Sequence, residues 1–174
     1  YTASDLIVAV KAGVKPTLSS TQMTFKHKMS RIVIDVTNES GFDITNIVIK
    51  GAVGTGVLDP ATGNFTAKAD AEASDLIANT ATANKVYYAL LVPQNGVKLM
   101  VTVTTADGKK RTQTLGTADF KSGENRRMEC NVQPADIEVK FSGPITGWVD
   151  GDDLLPDGEG EVETPTVEWG GVKY

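Results

Sequence analysis

The sequence predicts an all-β protein, a two-sheet β-sandwich of about seven strands with an extra hairpin and a C-terminal tail. Three observations carry that prediction. Apolar and polar residues alternate with period two along run after run, as they do in strands with one buried face. Clusters of Gly, Pro, Asn and Asp separate those runs. No stretch sustains the 3.6-residue spacing of a helix.

The runs follow in order. Leu6 to Val10 is the first. Phe25 to Val36 is the second, and its parity changes midway: Phe25, His27 and Met29 share one face, whereas Ile32, Ile34 and Val36 share the other. Side chains alternate strictly along a regular strand, so this predicts a bulge near Ser30 and Arg31. Ile44 to Ile49 follows and is expected to end at Gly51. The Gly51–Gly56 stretch reads as a turn. It has neither the spacing nor the following helix of a dinucleotide loop, and it lacks the Lys-Ser/Thr of a P-loop. Val57-Leu58 and Phe65, joined through Asp59-Pro-Ala-Thr-Gly63, predict a small hairpin. Residues 67–84 are rich in Ala, Thr, Asp and Asn and read as a loop with one helical turn near Ala71 to Ser74.

Val86 to Val92 is apolar on both parities, the mark of a strand covered on both faces, and Pro93 ends it. Val97, Leu99, Val101 and Val103 then alternate up to Asp107-Gly108, a strong hairpin signal. The return strand, Lys109 to Thr114, is polar and basic, as exposed edge strands tend to be. Met128, Cys130 and Val132 form the next inward row. Ile137, Val139 and Phe141 form the last, before Ile145 and Trp148.

Composition limits function. The chain has 174 residues, 40% of them hydrophobic, enough for one good core. Its net charge of −5 argues against gripping a nucleic-acid backbone. No apolar run approaches the ~20 residues that span a bilayer as a helix. The first residue, Tyr1, lies close to the first strand, which reads as a processed or truncated product.

The chemistry-bearing residues are few. One histidine, His27, sits in a strand and reads as a hydrogen-bonded structural residue. One cysteine, Cys130, cannot form an internal disulfide and reads as a buried small hydrophobe. No Gly-x-Ser-x-Gly elbow occurs. The acidic run Asp150 to Glu161 starts and ends like a calcium loop. It places Leu154 where an oxygen ligand is needed and Leu155 where the turn needs Gly, so it reads as a solvated linker. Tyr87, Tyr88, Trp148 and Trp169 could stack on sugars, but aromatic residues in strands are more often core. No enzyme, cofactor or metal site is expected.

Several segments together resemble a known family. Phe25-Lys-His-Lys-Met-Ser-Arg-Ile-Val-Ile-Asp-Val36, Asp5-Leu-Ile-Val-Ala9, Val92-Pro93-Gln94, Phe120-Lys-Ser-Gly123 and Ile145-Thr-Gly-Trp148 are similar, in order, to segments of the fimbrillins, the subunits of Bacteroidetes type V pili and related surface lipoproteins. The resemblance implies a transthyretin-like sandwich over residues 1–149, corresponding to the second domain of a fimbrillin subunit. It also implies export as a lipoprotein precursor, an extracellular place on a fimbria or the outer-membrane surface, assembly by strand exchange with other fimbrial subunits, and a part in adhesion or biofilm formation. A glycan-binding or adhesin module that meets surface glycans or proteins is the alternative. Residues 150–174 then form an acidic linker and a terminal strand. Val167, Trp169, Val172 and Tyr174 are the candidate donor-strand residues, with docking on the chain's own domain as the competing expectation.

Overall fold

The computed structural model describes residues 5–14 and 23–148. Its strands are β1 (Ile7–Val8), β2 (Lys26–His27), β3 (Ser30–Asn38), β4 (Ile44–Val53), β5 (Gly56–Leu58), β6 (Phe65–Ala67), β7 (Ala73–Ile77), β8 (Asn79–Thr82), β9 (Val86–Leu91), β10 (Gln94–Thr105), β11 (Lys110–Phe120), β12 (Glu124–Val132) and β13 (Ile137–Gly147). No helix occurs among the described residues. A four-stranded sheet, β11-β10-β4-β7, and a five-stranded sheet, β13-β12-β3-β9-β8, form the sandwich, and β1-β2 and β5-β6 are separate ribbons. The all-β sandwich expected from the sequence is therefore present, with nine strands in its two sheets where about seven were expected.

The alternating rows meet between the sheets. Ile32 and Ile34, Ile47 and Ile49, Leu99 to Val103 at alternate positions, and Met128 to Val132 at alternate positions are all fully buried. Polar neighbours on the same strands face out, which is why the pattern was readable. At the centre of its sheet, β3 runs antiparallel to β9 and parallel to β12, from Arg31 opposite Asn125 to Asn38 opposite Val132. β9 is buried on both parities at Ala89, Leu90 and Leu91, as expected. The Asp107-Gly108 hairpin forms, and β11 is a sheet edge, also as expected. The Thr105 hydroxyl donates to Asp107 and holds that exposed carboxyl below its usual range. Two glutamine bonds tie the sheets together: Gln113 on β11 donates to the Val139 carbonyl at 3.0 Å and accepts from the Val139 N–H at 2.6 Å.

Three expectations fail for physical reasons. The parity change in the second run is a strand break and not a bulge near Ser30 and Arg31. At Lys28 the backbone bonds to Leu6, at Met29 it bonds to Gly123, and only then does β3 begin. Gly51 does not end the third run. Its φ of 98° lets β4 bend and continue to Val53, with a register shift opposite β7 between Ile49 and Ala52. Residues 67–84 are not a loop with a helical turn near Ala71 to Ser74. A turn closed by the bond from Ala71 N–H to the Lys68 carbonyl leads into β7 and β8, which pair with β4 and β9.

Cys130 is fully buried, and desolvation pushes its thiol up to about 11. Only the thiolate attacks alkylating reagents. The native protein is expected to resist iodoacetamide at about pH 8 and to label once unfolded in guanidinium. Rapid native labelling, followed by mass spectrometry, would contradict the burial.

Candidate functional site

The turn of the β5-β6 ribbon is built by Asp59. Its carboxylate accepts from the Thr62 hydroxyl at 2.6 Å and from the Ala61 N–H at 2.9 Å. Those bonds, the Thr62 one first, hold the exposed carboxyl below its usual range. Across the ribbon the Phe65 ring lies directly over Gly56, where a Cβ would collide with it.

This ribbon helps to cover a second, smaller core. Leu90 and Val92 point away from the main core and are buried against Met29. Leu6, Phe65, Ala67 and Trp148 pack around them. The cover is incomplete. A groove of about 680 Å³ remains between the ribbon, β7 and this small core. Leu6, Met29, Leu58, Phe65, Leu90 and Val92 line it, together with Leu76 and Ile77 of β7. Ile77 is 60% exposed.

The groove lies against a strand that can accept a partner. Among the described residues, β7 has a sheet neighbour on one side only, β4. Its other edge presents backbone donors and acceptors beside apolar side chains. An extended peptide can pair with such an edge and place alternate side chains in the groove.

His27 serves structure. Its Nδ1 pairs with the Asp5 carboxylate, and its ring stacks on Trp148 with centroids 4.0 Å apart and planes 7° apart. The Arg31 guanidinium lies 4.8 Å from the Trp148 centroid, and the backbone N–H of Trp148 donates to the Gly123 carbonyl at 2.7 Å. The cluster thereby fastens β1 and β2 to the far end of β13. Of the aromatic residues weighed as a sugar platform, Tyr87 is buried, Tyr88 is half-buried, Trp148 is stacked on His27, and Trp169 lies outside the described residues. Among the described residues, no group of three or more His, Cys, Asp or Glu side chains could hold a metal ion.

The candidate donor residues Val167, Trp169, Val172 and Tyr174 lie outside the described residues, as do Asp150 to Glu161. The groove itself was not anticipated. Its one sequence signal was the double parity of Val86 to Val92, which showed that β9 is covered on two faces without showing by what.

Residues 1–148 match the family model described as fimbrillin-like. The chain belongs to the fimbrillin-like family. No curated protein sequence matches it. Solved structures similar to this fimbrillin-like chain include a candidate cell adhesion protein from Bacteroides ovatus, 21% identical, with a TM-score of 0.58 over 75% of this chain and 49% of the other. A candidate cell adhesion protein from Bacteroides uniformis is 14% identical, with a TM-score of 0.61 over 74% of this chain and 54% of the other. The truncated tip fimbrial protein Mfa3 of Porphyromonas gingivalis is 10% identical, with a TM-score of 0.50 over 71% and 52%. At these identities the likeness is one of fold. The fimbrillin-like chain spans about half the length of each of these structures.

Proposed function

We propose that this fimbrillin-like chain is a structural, non-enzymatic subunit of a cell-surface fimbria and assembles by taking a strand from a neighbouring subunit. The observation that carries the reading is the apolar groove beside the open edge of β7. Apolar surface and unpaired backbone side by side favour an added strand, because one segment satisfies both. The terminal segment Thr166 to Tyr174 is the proposed donor. Val167 and Trp169 share a parity and would enter the groove, with Val172 and Tyr174 completing the strand. The acidic residues before it would act as a soluble tether. Family membership supports a place outside the cell, on a fimbria or the outer-membrane surface. Export as a lipoprotein precursor and a part in adhesion or biofilm formation belong to the same reading.

The test is assembly in solution. The full chain, with and without limited proteolysis, is expected to form a ladder of multimers by size exclusion and native electrophoresis. A variant lacking 164–174 is expected to stay monomeric. Ile77→Lys, which places a charge at the groove on a side chain already 60% exposed, should weaken assembly in the same way while leaving the fold intact by circular dichroism. A full chain that remains monomeric under every condition would sink the exchange reading.

A further inference from the structure

We propose that the outer face of the four-stranded sheet binds an acidic glycan, a role that goes beyond strand exchange and shares only Asp75 with the β7 groove. Alternation along β10 buries Leu99, Val101 and Val103 and turns Lys98, Met100, Thr102 and Thr104 outward. Register places Thr112 beside Thr102, with their hydroxyls 3.0 Å apart, and Lys110 beside Thr104. On the other side of β10, Lys50 lies beside Met100, Val48 beside Thr102 and Asn46 beside Thr104. A shallow groove of about 590 Å³ crosses these side chains, Lys98 excepted, and Asp75.

The chemistry fits a charged sugar polymer. Threonine hydroxyls and the Asn46 amide offer donors and acceptors to sugar hydroxyls. Half-buried Val48 and Met100 provide a low apolar floor for the C–H face of a ring. Lys50, Lys98 and Lys110 share this face with two carboxylates, Asp75, which lies 2.8 Å from Lys50, and Asp119, which accepts from the Gly96 N–H two residues before Lys98. The face therefore carries a small positive excess on a chain whose net charge is −5. That contrast favours an anionic ligand at this face.

The spacing favours a polymer over a single anion. Lys110 lies opposite Thr104, six residues along β10 from Lys98. At about 3.4 Å per residue the lysines spread over roughly 20 Å. No aromatic side chain stands among the residues that line the groove, whereas single-stranded nucleic acid is held largely by stacking on such rings.

The experiment uses the full chain with immobilised heparin oligosaccharide, polygalacturonate, neutral dextran and single-stranded DNA. Both acidic glycans are expected to bind and dextran is not. Binding should weaken steeply between about 50 and 200 mM NaCl. The triple variant Lys50→Gln, Lys98→Gln, Lys110→Gln should lose about tenfold or more in affinity. A control triple, Lys68→Gln, Lys121→Gln, Lys140→Gln, should leave binding nearly unchanged. Lys98→Gln alone, on an exposed side chain, should give a partial loss without touching the fold. Equal binding to dextran, equal loss in both triples, or no binding at low salt overturns the proposal. Tighter binding to DNA than to either glycan overturns it as well and assigns the face to nucleic acid. Multimer formation through the β7 groove should be unchanged in the double variant Lys98→Gln, Lys110→Gln, which leaves the Lys50–Asp75 pair on β7 intact, so failure of one reading is separable from failure of the other.

Discussion

Replacing Phe120 with Ala is expected to destabilise the protein by about 3–5 kcal/mol, the usual range for a buried Phe→Ala change. Phe120 is the largest fully buried side chain among the described residues, 1% exposed at the end of β11. Its ring meets Phe141 of β13 with centroids 6.2 Å apart, so it spans the two sheets at the edge where β11 faces β13. The Arg126 guanidinium lies 5.4 Å from the Phe120 ring and 4.6 Å from that of Phe141. Truncation therefore removes the transfer energy of the ring, leaves a cavity and uncovers one side of a cation. At about 2–4 °C per kcal/mol for a chain of this size, Tm should fall by roughly 6–20 °C. Phe42→Ala is the matched control. Phe42 is 48% exposed in the connection between β3 and β4, and its loss should cost about 1 kcal/mol or less. Chemical denaturation of the two variants checks the pair. Equal losses would mean that the sheets do not meet through Phe120.

Gly51→Ala is expected to be nearly as damaging, although it adds a single methyl group. Two costs coincide at this residue. Its φ of 98° is one that side-chain-bearing residues rarely adopt, which costs about 1–3 kcal/mol. A Cβ there would also collide with the Lys98 carbonyl oxygen and lie 3.4 Å from its carbonyl carbon. That oxygen belongs to β10, which is held between β4 and β11 and cannot swing aside as a side chain could. The sheet would have to part locally, and a total of about 3 kcal/mol or more is expected. Two other glycines separate the costs. Gly108 has φ of 78° with nothing near its added Cβ, so Gly108→Ala should cost only the backbone part, about 1–2 kcal/mol. Gly116 has neither feature, and Gly116→Ala should be within about 0.5 kcal/mol of neutral. Urea midpoints in the order Gly116, Gly108, Gly51 test the reasoning. A Gly51 variant as stable as the Gly116 variant would refute it.

What the sequence disclosed depended on whether side chains or backbone decide an element. Leu99, Val101 and Val103, and Met128, Cys130 and Val132, lie in strands whose two faces meet different surroundings, so their alternation was legible. β7 and β8 were not. Ala73, Ser74 and Asp75 are exposed, as are Thr80 to Thr82, and these edge strands are held by main-chain pairing to β4 and β9, which leaves little trace in residue type. The parity reversal between His27 and Ile32 was visible, but its cause was not. The break at Lys28 and Met29 depends on partners far along the chain, Leu6 and Gly123. The groove needed the same distant information. Leu76 and Leu90 become its walls only once the β5-β6 ribbon is laid beside them.

The parallel pairing of β3 with β12 has a consequence in time. Arg31 and Asn125 face each other across 94 residues of chain. A contact so distant in sequence closes late and slowly, because its loop entropy is lost before the ladder compensates. The β10-β11 hairpin, turning at Asp107 and Gly108, needs no such wait. On a ribosome adding about 5–20 residues per second, roughly 5–20 s separate the synthesis of Arg31 from that of Asn125. Throughout that interval one backbone edge of β3 has no strand to pair with. A newborn chain thus passes through a sticky adolescence, and whatever shields it then decides how much of it survives to fold.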